Sequence, residues 1–249
     1  MSTLNTRKIK HDSSAVDNIT LDSSGNVAIG NSDPNGYSLM IGDGTNNRGR
    51  IYLKGKASGN YPEINVDDTA NSGKNFQLIS TSGNFQINDQ TGGGLTRFKI
   101  DSSGRVTMPY QPVFTALNDG DFAFSTDFAF STEGSWSAPI NRGSIFNTSN
   151  GRFTVPVSGI YWISYNITAS GTNSAPGDGW SAMLYVNGSQ YFHPEINYSV
   201  GSTVGEETSS GNALALNLTT GDYVQLGTAG VSAATFNLFY ASMSGYLLA

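Results

Sequence analysis

Apolar residues in this chain recur at every second position. The segment Gly159–Thr168, GIYWISYNIT, puts Tyr161, Ile163, Tyr165 and Ile167 on one side of an extended backbone and Trp162, Ser164 and Asn166 on the other. ALALNLTTGDYVQLG aligns Leu214, Leu216 and Leu218, turns at Thr220–Asp222, and resumes with Val224 and Leu226. TFNLFYASMSGYLLA carries Phe236, Leu238 and Tyr240 on one face of a last strand or two. A period of two predicts half-buried strands, and no stretch keeps apolar residues at helical spacing over three turns. In AMLYVNGSQYF the pair Asn187-Gly188 separates two apolar runs, a strong hairpin signal because both central positions need φ > 0. The predicted fold class is all-β.

The texture of the pattern changes along the chain. A polar lead and a first hairpin, ITLDSSGNVAIG (Ile19 to Gly30), close at the turn-rich NSDPNG, which predicts a boundary near residue 35. From 36 to 110 the runs are short, and the hairpin recurs as FKIDSSGRVTMP (Phe98 to Pro109) with a degenerate version in LISTSGNFQI (Leu78 to Ile87). Strands this short cannot enclose a core alone, so their apolar faces need neighbours, either successive repeats or identical chains. This predicts a β-hairpin stalk. From 111 to 249 aromatics become dense and turn signals recur at roughly ten-residue intervals, as in a sandwich. Ahead of that part stands a tandem hexapeptide, DFAFSTDFAFST (Asp121 to Thr132), whose even length keeps Phe122, Phe124, Phe128 and Phe130 in one β phase. It reads as a duplication within a first strand or its connecting loop, with an exposed aromatic binding patch as the alternative.

Composition narrows the function classes. The 30 glycines and a charged fraction of only 13% disfavour long helices, and a net charge of −6 argues against a nucleic-acid partner. The basic cluster RKIKH (Arg7 to His11) reads as a solvated tail. No apolar run is long enough to cross a bilayer, so membrane insertion is not expected. With no Cys, neither disulfides nor thiolate metal sites hold the fold. His11 and His193 lie near no metal-spacing motif, there is no nucleophile elbow or phosphate loop, and Asp67-Asp68 and Glu206-Glu207 would point to opposite faces of a strand. No catalytic residue is expected, and the chain reads as a non-enzyme.

Three ordered patterns resemble the globular head of the complement first component's q subunit, which shares a jelly roll with the tumour-necrosis-factor ligands. Gly151, Phe153, Pro156, Gly159 and Tyr161 match the family's Gly-x-Phe-x-x-Pro-x-x-Gly-x-Tyr; Leu216, Leu218, Gly221, Asp222 and Val224 match its Leu-x-Leu-x-x-Gly-Asp-x-Val; Ser244, Gly245, Tyr246, Leu247 and Leu248 match its closing strand. Met243 stands where the family usually has Phe. The resemblance implies a ten-stranded, two-sheet jelly roll that forms homotrimers and binds partners through variable loops. Some members carry calcium near the trimer apex; no ligand set matches here residue by residue, so the metal site stays unknown, calcium stays open and no cofactor is expected.

The opening stretch, Met1 to Gly30, is similar to the openings of structural proteins from tailed phages of aquatic bacteria, where such units precede varied heads. That resemblance, with no signal-peptide h-region, no Gly-x-y run and no Cys, implies a virion protein assembled in the host cytoplasm. The expected function is a homotrimeric tail fibre, anchored to a phage tail or capsid protein through 1–35, extended by 36–110, and binding a host surface glycan or protein through the head at 111–249. A capsid-attached head fibre or decoration protein is the alternative, and a glycan-cleaving tail spike the further one. The expected ligand-binding residues are Asp178, Trp180, Tyr191, His193, Glu195 and Tyr198, in two long polar loops, because an exposed ring beside a carboxylate suits sugars or amphipathic ligands.

Overall fold

The protein is described here from a computed structural model. It describes residues 8–9, 19–21, 27–29, 39–41, 61–67, 73–91, 93–171, 178–192, 197–198, 207–229, 231 and 234–249. The chain divides into two compact units, Met1–Leu95 with Lys99–Val106, and Thr96–Phe98 with Thr107–Ala249.

The N-terminal region contributes two sheets. The first has the order β1 (Lys8–Ile9), β2 (Ile19–Leu21), β3 (Val27–Ile29), β4 (Leu39–Ile41), with β2 and β3 forming the first hairpin and β4 running parallel to β3. The second is a meander of β5 (Glu63–Asp67), β6 (Asn75–Thr81), β7 (Asn84–Asp89), β8 (Leu95–Ile100) and β9 (Val106–Thr107). Its β6–β7 turn places Ser82 and Gly83 at φ 49° and 77°, the left-handed pair a two-residue hairpin requires. The second Asp-Ser-Ser-Gly turn is held by Asp101, whose carboxylate accepts from the Ser103 and Arg105 amides at 2.9 Å and from Arg105 Nε at 2.7 Å.

The C-terminal unit holds β10 (Val113–Asn118), β11 (Phe122–Phe124), β12 (Phe128–Ala129), β13 (Trp136–Arg142), β14 (Phe146–Asn147), β15 (Arg152–Thr154), β16 (Gly159–Gly171), β17 (Gly179–Val186), β18 (Ser189–Phe192), β19 (Asn197–Tyr198), β20 (Glu207–Leu218), β21 (Tyr223–Ala229) and β22 (Phe236–Leu247). One sheet has the order β13-β10-β22-β16-β20 with β11 also on β22; the other has β14-β15-β21-β17-β18 with β12 on β21 and β19 on β17. The chain passes repeatedly from one sheet to the other, the topology of a jelly roll. Asn187 and Gly188 stand at φ 53° and 80° between β17 and β18, as the sequence predicts.

The inner faces meet in one aromatic core. Tyr161, Ile163, Tyr165 and Ile167 are all buried, and Trp162, Ser164 and Asn166 face outward, so the alternation read from the sequence is the observed one. Phe114 stacks on Phe153 at 4.7 Å and on Phe146 at 5.5 Å, and Phe153 packs on Tyr161 at 5.4 Å. Burial lifts the Tyr161 phenol above its ordinary range, and its hydroxyl donates to Val157 O at 2.7 Å.

The tandem hexapeptide splits between the two sheets. Its first copy pairs with β22 (Phe122 opposite Leu238), its second with β21 (Phe128 opposite Thr228). The common phase points all four rings inward: Phe124 stacks on Phe236 at 5.6 Å, and Phe122 and Phe130 meet edge to face at 5.2 Å. The repeat is therefore a connector that laces the sandwich along one flank, and not an exposed patch. Gln225 fastens the second copy, donating from Nε2 to Phe130 O at 3.2 Å and to Asn150 O at 3.1 Å.

One expected phase is corrected. Phe236 and Leu238 are buried but Tyr240 is 38% exposed, because a bulge lies between them. Tyr240 pairs with Thr168 and Leu238 with Ala169, leaving Phe239 as the extra residue, so Ala241 and Met243 take the inward positions instead. The Gly120–Asp121 turn presses on this bulge, with Asp121 at φ 66° and its amide donating to Leu238 O at 2.9 Å.

Tyr161→Ala and Phe130→Ala are each expected to destabilise the protein by about 3–5 kcal/mol, since both rings are fully buried. Chemical denaturation checks this, and an unchanged midpoint for either would contradict the assigned strand phase.

Candidate functional site

The outer surface of the β13-β10-β22-β16-β20 sheet is built from the positions that alternate with the core. Across β22 and β16 these are the pairs Tyr246–Trp162, Ser244–Ser164, Ser242–Asn166 and Tyr240–Thr168. On β20 they continue as Ala215, Ala213, Gly211 and Ser209. No charged side chain interrupts this run; Arg142 and Glu207 stand at its margins. Trp162 is 37% exposed, and Ile140, Ile160 and Tyr246 are exposed with it. Several of the polar groups on this face already bond one another: Thr168 Oγ1 lies 2.8 Å from Ser209 Oγ, and Ser244 Oγ donates to Thr115 Oγ1 at 3.1 Å. Covering the face would leave few of these donors stranded, which keeps its desolvation inexpensive. Rings, small side chains and no charge are the chemistry of an interface core.

The six residues singled out from the sequence fall into four groups. Asp178 and Tyr198 are brought to the same sheet end, because Gly179 on β17 pairs with Tyr198 on β19. Tyr191 lies on the edge strand β18 and is 51% exposed. His193 and Glu195 lie outside the described residues. The expectation of an exposed ring at Trp180 is corrected: it is 0% exposed, inside β17 and edge to face with Phe124 at 5.9 Å. The strand begins at Gly179, so Trp180 takes an inward position instead of the end of a loop.

Sequence reasoning missed two features. Phe239 is exposed beside Tyr240, and only the bulge places them so. The charge-free outer face was readable in principle, as a lack of Asp, Glu, Lys and Arg at alternate positions of Trp162–Thr168, Ser209–Ala215 and Tyr240–Tyr246.

On the opposite sheet, burial lifts the Tyr185 phenol above its ordinary range while its hydroxyl donates to Thr228 O at 2.7 Å. The Gly221-Asp222 motif has a structural role. Asp222 accepts from Asn187 Nδ2 and from the Thr219 amide, both at 2.8 Å, while Asn187 Oδ1 accepts from the Tyr223 amide at 3.0 Å. Two turns far apart in sequence are thereby locked together. The Asn187 bond, with that from Thr219, holds the Asp222 carboxyl below its usual range. Among the described residues no group of three or more His, Asp or Glu could hold a metal ion.

The two-sheet jelly roll places the C-terminal unit in the class of complement-q-like heads. Domains of this class commonly form homotrimers and are typically non-enzymatic. The family model described as the C1q domain matches residues 114–248, and the chain belongs to that family. Among solved structures it is similar to the globular domain of zebrafish complement 1qA, at 16% identity and a TM-score of 0.40, over 56% of this chain and 98% of that one. It is also similar to Eiger TNF from S. frugiperda (18% identity, TM-score 0.40, 56% and 94% covered) and to murine APRIL (13%, 0.33, 53% and 98%). No curated protein matches the chain.

Because the folded Asp222 pKa is depressed, its contribution to stability is present above the unfolded carboxylate range near 4 and is lost as pH falls through the folded value. Asp222→Asn is therefore expected to lower the melting temperature at pH 7 and to narrow the gap to wild type toward pH 3. A gap that is constant between these pH values would contradict the turn lock.

Proposed function

We propose that this chain is a non-enzymatic structural protein of a phage particle, a homotrimeric tail fibre whose jelly-roll head binds a glycan or protein of the host surface. The observation that carries the assembly is the charge-free outer face of the β13-β10-β22-β16-β20 sheet, with Trp162 and Tyr246 paired on it. Three heads sharing that face around an axis bury the rings that one head leaves wet. The virion setting is supported by the resemblance of Met1 to Gly30 to phage structural proteins. In this reading residues 1–35 anchor the chain to a tail or capsid protein, 36–110 form a stalk of β-hairpins, and 111–249 form the head. Contact with the receptor falls to the sheet end that carries Asp178 and Tyr198 and to the exposed edge ring of Tyr191, together with His193 and Glu195.

Gold-labelled antibodies against the head, applied to intact particles, are expected to mark tail fibres. Label on the capsid moves the protein to a head-fibre role, and unlabelled particles would overturn the reading. Trp162→Glu sets a charge in the face and is expected to give monomers by light scattering, with the β-type circular dichroism retained and adsorption to host cells lost. A Trp162→Glu protein that stays trimeric contradicts the assigned interface.

A further inference from the structure

The β5-β6-β7 sheet has two unlike faces. On one, Gln77 Nε2 donates to Glu63 Oε2 at 2.7 Å and Gln77 Oε1 accepts from Gln90 Nε2 at 2.6 Å and Asn88 Nδ2 at 3.3 Å, so amides and a carboxylate knit the three strands together around Ile79. The other face is apolar. Register places Val66 opposite Phe76, Ile64 opposite Leu78, and Leu78 opposite Ile87, with Phe85 two residues before Ile87. Ile64, Val66, Phe76 and Phe85 are all exposed, Val66 to 57%. Within β5, β6 and β7 the charged side chain on this face, Asp89 opposite Phe76, is buried and paired with Lys74 Nζ at 3.6 Å. A contiguous apolar face of six side chains is an interaction surface, not ordinary scatter.

We propose that this face is covered by the same face of other copies of the chain, in a second interface separate from that of the head. The inference rests on the trimeric head of the proposed function. Five residues, Met108 to Pro112, connect β9 to β10, the strand that enters the head's interface sheet. Fully extended they reach at most about 20 Å. Heads assembled as a trimer therefore hold three copies of the β5-β6-β7 sheet at an effective concentration of roughly millimolar. Under that tether, the surface most often met by an uncharged apolar face is its own counterpart. Without a charge to match, this face offers nothing to a partner of opposite charge, whereas three tethered copies can bury it against one another. The polar ladder on the reverse side stays with solvent. The two sides of one sheet thus have separate tasks, assembly on one and solubility on the other.

The chain contains no Cys, so single cysteines report each side without background. Val66→Cys and Asn65→Cys, neighbours on opposite faces of β5, are made in the full-length protein. Their rates of maleimide labelling are measured beside the hydrodynamic mass. In the trimer, Val66→Cys is expected to react at least ten-fold more slowly than Asn65→Cys, and to become as reactive when Trp162→Glu is added. Equal rates in a particle of trimeric mass would overturn this inference while leaving the head interface standing. Slow reaction that persists in the Trp162→Glu monomer would assign the cover to the chain's own N-terminal residues and overturn it as well. A wild-type protein of monomeric mass would instead remove the trimeric head on which the inference rests.

Discussion

A β-sheet exposes two faces, and the apolar content of this chain is concentrated where one face of each sheet can be buried. In the head the two sheets satisfy each other: Phe114, Phe153, Tyr161 and Ile163 from facing strands are fully enclosed. The reverse side of one of these sheets is neither charged nor fully covered. The β5-β6-β7 sheet carries the same imbalance, with a hydrogen-bonded polar ladder on one side and exposed rings on the other. Covering apolar area is the main favourable term in folding and association. In the proposed assembly, a surface that one copy leaves wet is completed by another.

Two local devices keep the head's own sandwich closed. The duplicated hexapeptide crosses between the sheets and pins β21 and β22 through pairings that present its rings to the core. The bulge at Phe239 then shifts the phase of β22, which turns Tyr240 outward and returns Met243 to the interior. Bulges insert one residue and re-aim those that follow. The same step that fills the core therefore sets the aromatic pair Phe239 and Tyr240 on the surface. At the C-terminal end of β17, Asp222 and Asn187 lock two turns together.

Much of this was legible in the sequence wherever a local rule decides the outcome. Period-two alternation placed Tyr161 through Ile167 correctly, and Asn187-Gly188 supplied its hairpin, because steric preference at two residues settles the turn. Family motifs identified the head, and the matched residues Phe153, Tyr161, Leu216 and Val224 are core residues. Positions decided by a distant partner were not legible. Strict alternation puts Tyr240 on the wrong face because it does not reveal the bulge at Phe239, whose neighbour Leu238 meets the turn at Gly120–Asp121, more than a hundred residues earlier. Trp180 read as a loop ring because its neighbour Phe124 comes from the hexapeptide. Of the other candidate residues, the pairing of Gly179 with Tyr198 draws Asp178 and Tyr198 together, a juxtaposition that spacing alone does not give.

Self-completion of one-sided sheets is tested most directly by sedimentation equilibrium of the full-length protein over a range of concentrations. The account predicts a single species of three times the 26.4 kDa chain mass, persisting on dilution to low micromolar concentration. A well-folded species of one chain mass at that concentration would contradict it.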